Sequence, residues 1–96
     1  MTDARNILSS CKEMAQKVLV LFHTDESAAI DNLNKLKTKL SEKAEVKKEE
    51  CELFEACRYN ALATINSAPV QNKKNAQLTE ALMEAVLEIE AICEIL

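Results

Sequence analysis

The chain has 96 residues, enough for one domain, and contains no Gly, a single Pro and 3% aromatic residues. The absence of Gly excludes the glycine-rich phosphate loops of nucleotide-binding enzymes, and it disfavours β folds, which depend on glycine-containing turns. The net charge of -4 and the pI near 5.0 have the wrong sign for binding a phosphate backbone, so we expect no nucleic-acid partner.

The first predicted helix covers residues 3–22. Thr2 or Asp3 can cap its start, and it should end near His23, because Thr24-Asp25-Glu26 has the capping hydroxyl and acidic residues of a new helix start. Its apolar residues recur at alternating spacings of three and four, which is the pattern of one buried helical face: Ala4, Ile7, Cys11, Met14, Val18 and Leu21.

The second predicted helix covers residues 25–66. Its middle, residues 41–50, is mostly Lys and Glu and contains no Gly, Pro or Asn. Because Glu and Lys are good helix formers, the sequence favours one continuous helix of about 40 residues, on the order of 60 Å long. The alternative is a break near Ser41, the residue there that could cap a fresh helix.

A linker is predicted at residues 66–72, which combine the single Pro69 with turn-forming Asn and Ser. The third predicted helix covers residues 72–96, where apolar residues step by four and three in a regular heptad: Leu78, Leu82, Ala85, Ile89, Ile92 and Leu96. The sequence therefore predicts an all-α protein, an antiparallel three-helix bundle with a long central helix. If the chain breaks near Ser41, the result is a four-helix up-down bundle.

The third helix carries more apolar residues than one buried stripe needs, because Met83, Leu87, Ala91 and Ile95 lie outside its heptad. A helix that is apolar nearly all round is usually covered by something, and a second chain is the natural candidate. The alternative is a monomer that buries all these side chains internally. We predict that a partner contacts seven apolar residues: Leu19, Val20, Leu53, Phe54, Met83, Leu87 and Ile95.

The four cysteines and the single histidine do not form a recognisable ligand or catalytic set. Cys51 and Cys57 are six residues apart, which places them about 120° from one another on a helix, and Cys11 and Cys93 belong to other helices. His23 lies 12 residues from Cys11, about 18 Å along a helix. We therefore expect reduced thiols that pack as small hydrophobes, no metal, no cofactor and no enzymatic activity.

These features favour a non-catalytic protein–protein interaction module, a small helical subunit or adaptor of a multi-protein assembly. Its partners would be other proteins, in a homo- or hetero-oligomer held by apolar helix faces. The sequence shows no secretory signal and no apolar run long enough to cross a bilayer, so we expect a cytoplasmic protein without membrane association. Two alternatives are a chaperone cofactor or inhibitor that binds one folded client 1:1, and a thiol-based redox or metal sensor.

Overall fold

A computed structural model describes residues 3–42, 44–68 and 76–96 of the chain. These residues form four helices: α1 (Ala4–Thr24), α2 (Glu26–Ser41), α3 (Lys48–Asn66) and α4 (Ala76–Ile95). The all-α class is therefore confirmed. The prediction of three helices is wrong, and the alternative of a four-helix bundle with a break near Ser41 fits the structure.

The first helix follows the sequence prediction closely, but Thr24, the expected capping hydroxyl of the second helix, is the last residue of α1, and Asp25 caps α2 instead. The Asp3 carboxylate accepts a hydrogen bond from the Arg5 backbone N–H at 2.9 Å and so caps α1. One residue, Asp25, separates α1 from α2, and its carboxylate accepts from the Ala28 N–H at 3.1 Å. Because a single residue makes this turn, α2 folds back along α1, and Lys39 Nζ donates to Ser10 Oγ at 3.0 Å.

The predicted continuous helix over residues 25–66 ends instead at Ser41. The Glu42 N–H still bonds to the Thr38 carbonyl, but the Glu42 backbone is extended, with φ -69° and ψ 140°. Residue 43 lies outside the described residues, and α3 begins at Lys48. The whole molecule is 43 Å in its longest dimension, shorter than the rod of about 60 Å that the sequence predicted.

Burial explains why the helix breaks although its residues favour helix. In a continuous rod the apolar stripe of α3 would extend beyond α1 and α4 and face water. Folding back between α2 and α3 brings that stripe into the same core as the other helices. Helix propensity differs by only a few tenths of a kcal/mol per residue, whereas burying one Leu or Phe side chain stabilises the fold by about 1.5–3 kcal/mol.

Arg58 fixes this junction from α3. Its guanidinium donates through Nη1 to the Glu42 backbone carbonyl, just beyond the end of α2. It also bonds to the Glu55 carboxylate at 2.6 Å and lies over the Phe54 ring, with 5.4 Å from Cζ to the ring centroid. The Arg58 side chain is only 11% exposed, so these contacts tie the end of α2 to the buried side of α3.

One continuous core contains residues from all four helices. Its largest fully buried side chains are Phe54, Leu8, Leu33, Leu36, Leu40, Ile65, Leu78, Leu82 and Ile89. The predicted heptad of the last helix is thus buried through Ile89, and Ile92 and Leu96 are half-buried against the core. Most of the linker predicted at residues 66–72, and the predicted helix start at residue 72, lie outside the described residues.

Candidate protein-interaction surface

The candidate surface lies where α1 and α4 pack side by side and antiparallel. Ser9 Oγ and Cys93 Sγ are 4.0 Å apart, and Lys12 Nζ lies 3.9 Å from the Glu90 carboxylate. Each step forward along α1 is therefore matched by an equal step backward along α4. By the same register, Leu19 of α1 comes level with Met83 of α4.

At that level the two helices leave an apolar groove, which we call the α1/α4 groove. It has a volume of about 250 Å³ and is lined by Gln16, Leu19, Met83, Val86 and Leu87. Met83 is 53% exposed and Leu87 is 64% exposed, whereas Val86 forms the buried floor. Pockets for small molecules usually measure roughly 300–1,000 Å³, so this groove is smaller than most of them.

Three further clefts among the described residues have a different chemical character. Their volumes are about 380, 470 and 600 Å³, and their walls are mainly charged and polar side chains of α2, α3 and the connection between them. The largest is lined by Ala44, Glu45, Glu55 and Arg58. Exposed polar clefts of this kind are ordinary solvated surface, so the α1/α4 groove is the stronger candidate for binding.

The structure places five of the seven predicted interface residues on α1 and α4, but not all in one patch. Leu19, Met83 and Leu87 line the groove, and Val20, which is 63% exposed, follows Leu19 on α1. Ile95 is 66% exposed, but eight residues separate it from Leu87, about 12 Å along the helix. Ile95 therefore belongs to the far end of the α4 surface and not to the groove.

The other two predicted residues lie on α3, and one of them is corrected by the structure. Phe54 is fully buried beneath Arg58, so it is a core residue and cannot contact a partner. Leu53 is half-buried. The reason is the fold-back between α2 and α3, which turns the apolar stripe of α3 inward, whereas a continuous rod would have left it uncovered.

The exposed side of α4 is strongly acidic. Between Ala76 and Ile95 the helix contains five Glu residues and no Lys, Arg or His: Glu80, Glu84, Glu88, Glu90 and Glu94. Glu84 lies three residues before Leu87, on the same side of the helix, and is exposed. Glu90 is paired with Lys12, at the edge of α1. The exposed carboxylates of Glu80 and Glu84 thus lie on α4 next to Met83 and Leu87.

Three of the four thiols come together inside the bundle, which the three-helix prediction did not anticipate. Burial, with smaller contributions from Glu88, Cys93 and Cys11, raises the pKa of the Cys57 thiol from 9.0 to about 12. Burial also raises the pKa of Cys11, although the Lys39 and Arg58 cations partly offset it. Because the thiolate is the reactive and metal-binding form, both buried thiols are poor nucleophiles at neutral pH.

The remaining candidate groups are dispersed. Cys51 is exposed on α3, and His23 is exposed in the last turn of α1. Among residues 3–42, 44–68 and 76–96, no three His, Cys, Asp or Glu side chains are grouped so that they could hold a metal ion. Within the same residues, no helix combines the length and the apolar character that a membrane span requires.

Sequence reasoning missed two residues of the groove. Val86 was absent from the predicted interface, although it lies four residues after Leu82 and therefore next to the buried stripe. Gln16 lies three residues before Leu19 on α1, and its polar side chain gave no signal. Sequence reasoning also gave no role to Tyr59 on α3, which is 74% exposed and is not one of the groove residues.

Comparisons with known proteins add no relative to these observations. A scan against models of protein families, a search of curated proteins and a search of solved structures found no match. Function is therefore inferred from the residues of this chain.

Proposed function

We propose that this protein is a non-catalytic protein–protein interaction module, a small helical subunit or adaptor of a multi-protein assembly. The α1/α4 groove carries the proposal. Met83 and Leu87 are each more than half exposed, and together with Leu19 they line a groove whose floor is the buried Val86. Scattered exposed apolar residues are normal on soluble proteins, but a group at one helix seam marks an interaction site more often than plain surface.

The energetics agree with such a role. Covering a Leu or Met side chain contributes about 1.5–3 kcal/mol to association, before the loss of translational and rotational freedom is subtracted. The groove and its borders offer several such side chains on two helices that pack closely on one another. Because α1 and α4 are held by core packing, the surface is largely formed before a partner arrives, which lowers the cost of ordering it.

The test is the double variant Met83→Glu plus Leu87→Glu, compared with Tyr59→Glu as a control. All three are exposed large apolar residues, so neither variant disturbs the core, and each substitution adds a carboxylate to the surface. The mass of the purified chain is measured by light scattering after size exclusion, at several concentrations and with reductant. The elution size of the tagged chain is measured in extracts of its own cells.

We expect a mass above 10.7 kDa in at least one of these measurements, lost in the double variant and kept in Tyr59→Glu, with unchanged helix content by circular dichroism. A chain that elutes at 10.7 kDa in both settings would contradict an assembly subunit. A single 1:1 complex with one folded protein would favour the client-binding alternative. If the double variant unfolds, Met83 and Leu87 are core residues and the proposal fails.

A further inference from the structure

We infer that the partner of the α1/α4 groove is a basic amphipathic helix from another protein. This inference rests on the proposed function and specifies the chemistry of the partner. Grooves with an apolar floor between two helices commonly bind the apolar face of a third helix, through anchors spaced three and four residues apart. Met83 and Leu87, four residues apart on α4, together with Leu19 on α1, present such a surface.

The charges on α4 select the partner. Its exposed side carries Glu80, Glu84 and Glu94, and no cation on the same helix neutralises them. Among the described residues, the ion pair that α4 makes is between Glu90 and Lys12, at 3.9 Å. A helix whose apolar stripe is flanked by Lys or Arg would place cations beside Glu80 and Glu84 when its apolar side chains fill the groove.

The same charges argue against a second copy of this chain as the occupant. In a two-fold dimer the same patch meets itself, so a symmetric contact centred on Met83 and Leu87 would bring the two α4 helices together. Glu84, one residue after Met83, would then face carboxylates of the other copy, with no Lys or Arg on either α4 to separate them. Like charges placed side by side disfavour such a pairing.

The inference is tested with synthetic peptides in a fluorescence-anisotropy titration of the full chain. The probe is a labelled helical peptide of about 18 residues, with Leu every three or four positions and Ala and Lys elsewhere. Two matched peptides serve as controls: one with Glu in place of every Lys, and one of identical composition in which the leucines no longer share a face.

Substitution of Leu87 separates groove binding from general attraction between a cationic peptide and an acidic protein. Leu87→Glu adds a negative charge, so an unspecific electrostatic contact would become tighter, whereas docking in the groove would become weaker. We expect Leu87→Glu to raise Kd about tenfold, which is the loss of one buried apolar anchor. Tyr59→Glu adds the same charge on α3 and should change Kd by less than about twofold. Glu84→Gln removes a carboxylate that would face the cations of the peptide, so it should raise Kd a few-fold.

Three results would overturn the inference. The basic and acidic peptides could bind equally, or Leu87→Glu could bind the basic peptide as well as the wild type does. Alternatively, the chain could be a dimer that Leu87→Glu dissociates, with no peptide binding, which would identify a second copy as the occupant. In that last case the proposed interaction function stands and only the partner chemistry is wrong. If neither the peptide nor any assembly depends on Met83 and Leu87, both proposals fail.

Discussion

Helix α4 has two apolar faces, of which one is buried and the other is exposed. One face, with Leu78, Leu82, Ala85 and Ile89, is at most 1% exposed and forms part of the core. The other, with Met83, Leu87 and Ile95, is 53–66% exposed. The two faces have similar composition but different neighbours, because α1 and α3 cover only one side of α4. The buried face therefore stabilises the fold, and the exposed face remains available for binding.

Helix α3 shows the same contrast in its two aromatic residues. Phe54 is fully buried, whereas Tyr59 is 74% exposed although it is only five residues further along. Five residues correspond to about 500° of helical rotation, which places the two side chains on nearly opposite sides. From its residue type, Phe54 was predicted to contact a partner. Its packing against Arg58 and the core shows instead that it is a structural residue.

The largest expected effect comes from this aromatic pair. We expect Phe54→Ala to lower the free energy of unfolding by about 3–5 kcal/mol, because it leaves a cavity in the core and removes the surface on which Arg58 rests. Tyr59→Ala should change it by less than about 0.5 kcal/mol. Urea unfolding followed by circular dichroism measures both values. Equal small losses in the two variants would show that Phe54 is not packed as described.

The two leucines on opposite faces of α4 give the next largest difference. Leu82→Ala should cost about 2–5 kcal/mol, since its side chain is completely buried. Leu87→Ala should cost less than about 0.5 kcal/mol, because most of its side chain is already in water. Urea unfolding at a concentration where the chain is monomeric measures the free energy of unfolding of both variants. A large cost for Leu87→Ala would mean that the chain itself covers this face.

The effect that is confined to high pH concerns the buried and exposed cysteines of α3. Cys57 has a pKa of about 12 in the folded chain, against an ordinary 9.0 that we take for the unfolded chain. Between these values the unfolded chain loses the proton while the folded chain keeps it. The stabilising contribution is therefore complete below pH 9.0 and is lost as the pH rises toward 12.

This contribution is isolated by comparing variants. In Cys57→Ala, the free energy of unfolding should fall less steeply above pH 9.0 than in the wild type. Cys51→Ala is the control, because it removes an exposed thiol from the same helix. Urea unfolding is measured with reductant at a series of pH values. Identical slopes for Cys57→Ala and the wild type would contradict the buried environment of this thiol.

The bounds of α1 and the buried stripe of α4 could be read from the sequence because both depend on local features. Asp3 caps α1, Asp25 makes the next turn, and the apolar spacing of α4 matches the helical period. The break after Ser41 does not follow from local features in the same way. Residues 42–47 favour helix by propensity, and the contacts that oppose it, such as Arg58 on the Glu42 carbonyl, join distant positions.

The candidate site was predicted in part. The excess of apolar residues on the last helix pointed to Met83 and Leu87, because a regular heptad left them unassigned. Their assembly with Leu19 and Val86 into a groove depends on the register between α1 and α4, which the sequence does not encode locally. Ile95 lies eight residues beyond Leu87 on α4 and therefore outside the groove, and the fold-back between α2 and α3 places Phe54 in the core.

The sequence by itself determined that this chain is helical, where α1 begins and ends, and which side of α4 is buried. Those properties follow from periodicity, capping and the absence of Gly, which act over a few neighbouring residues. Tertiary structure decided that α2 and α3 are separate helices, which thiols meet, and which apolar side chains remain in water. Those properties follow from the burial of apolar surface between segments far apart in the chain, which outweighs the small helix propensities of residues 42–47.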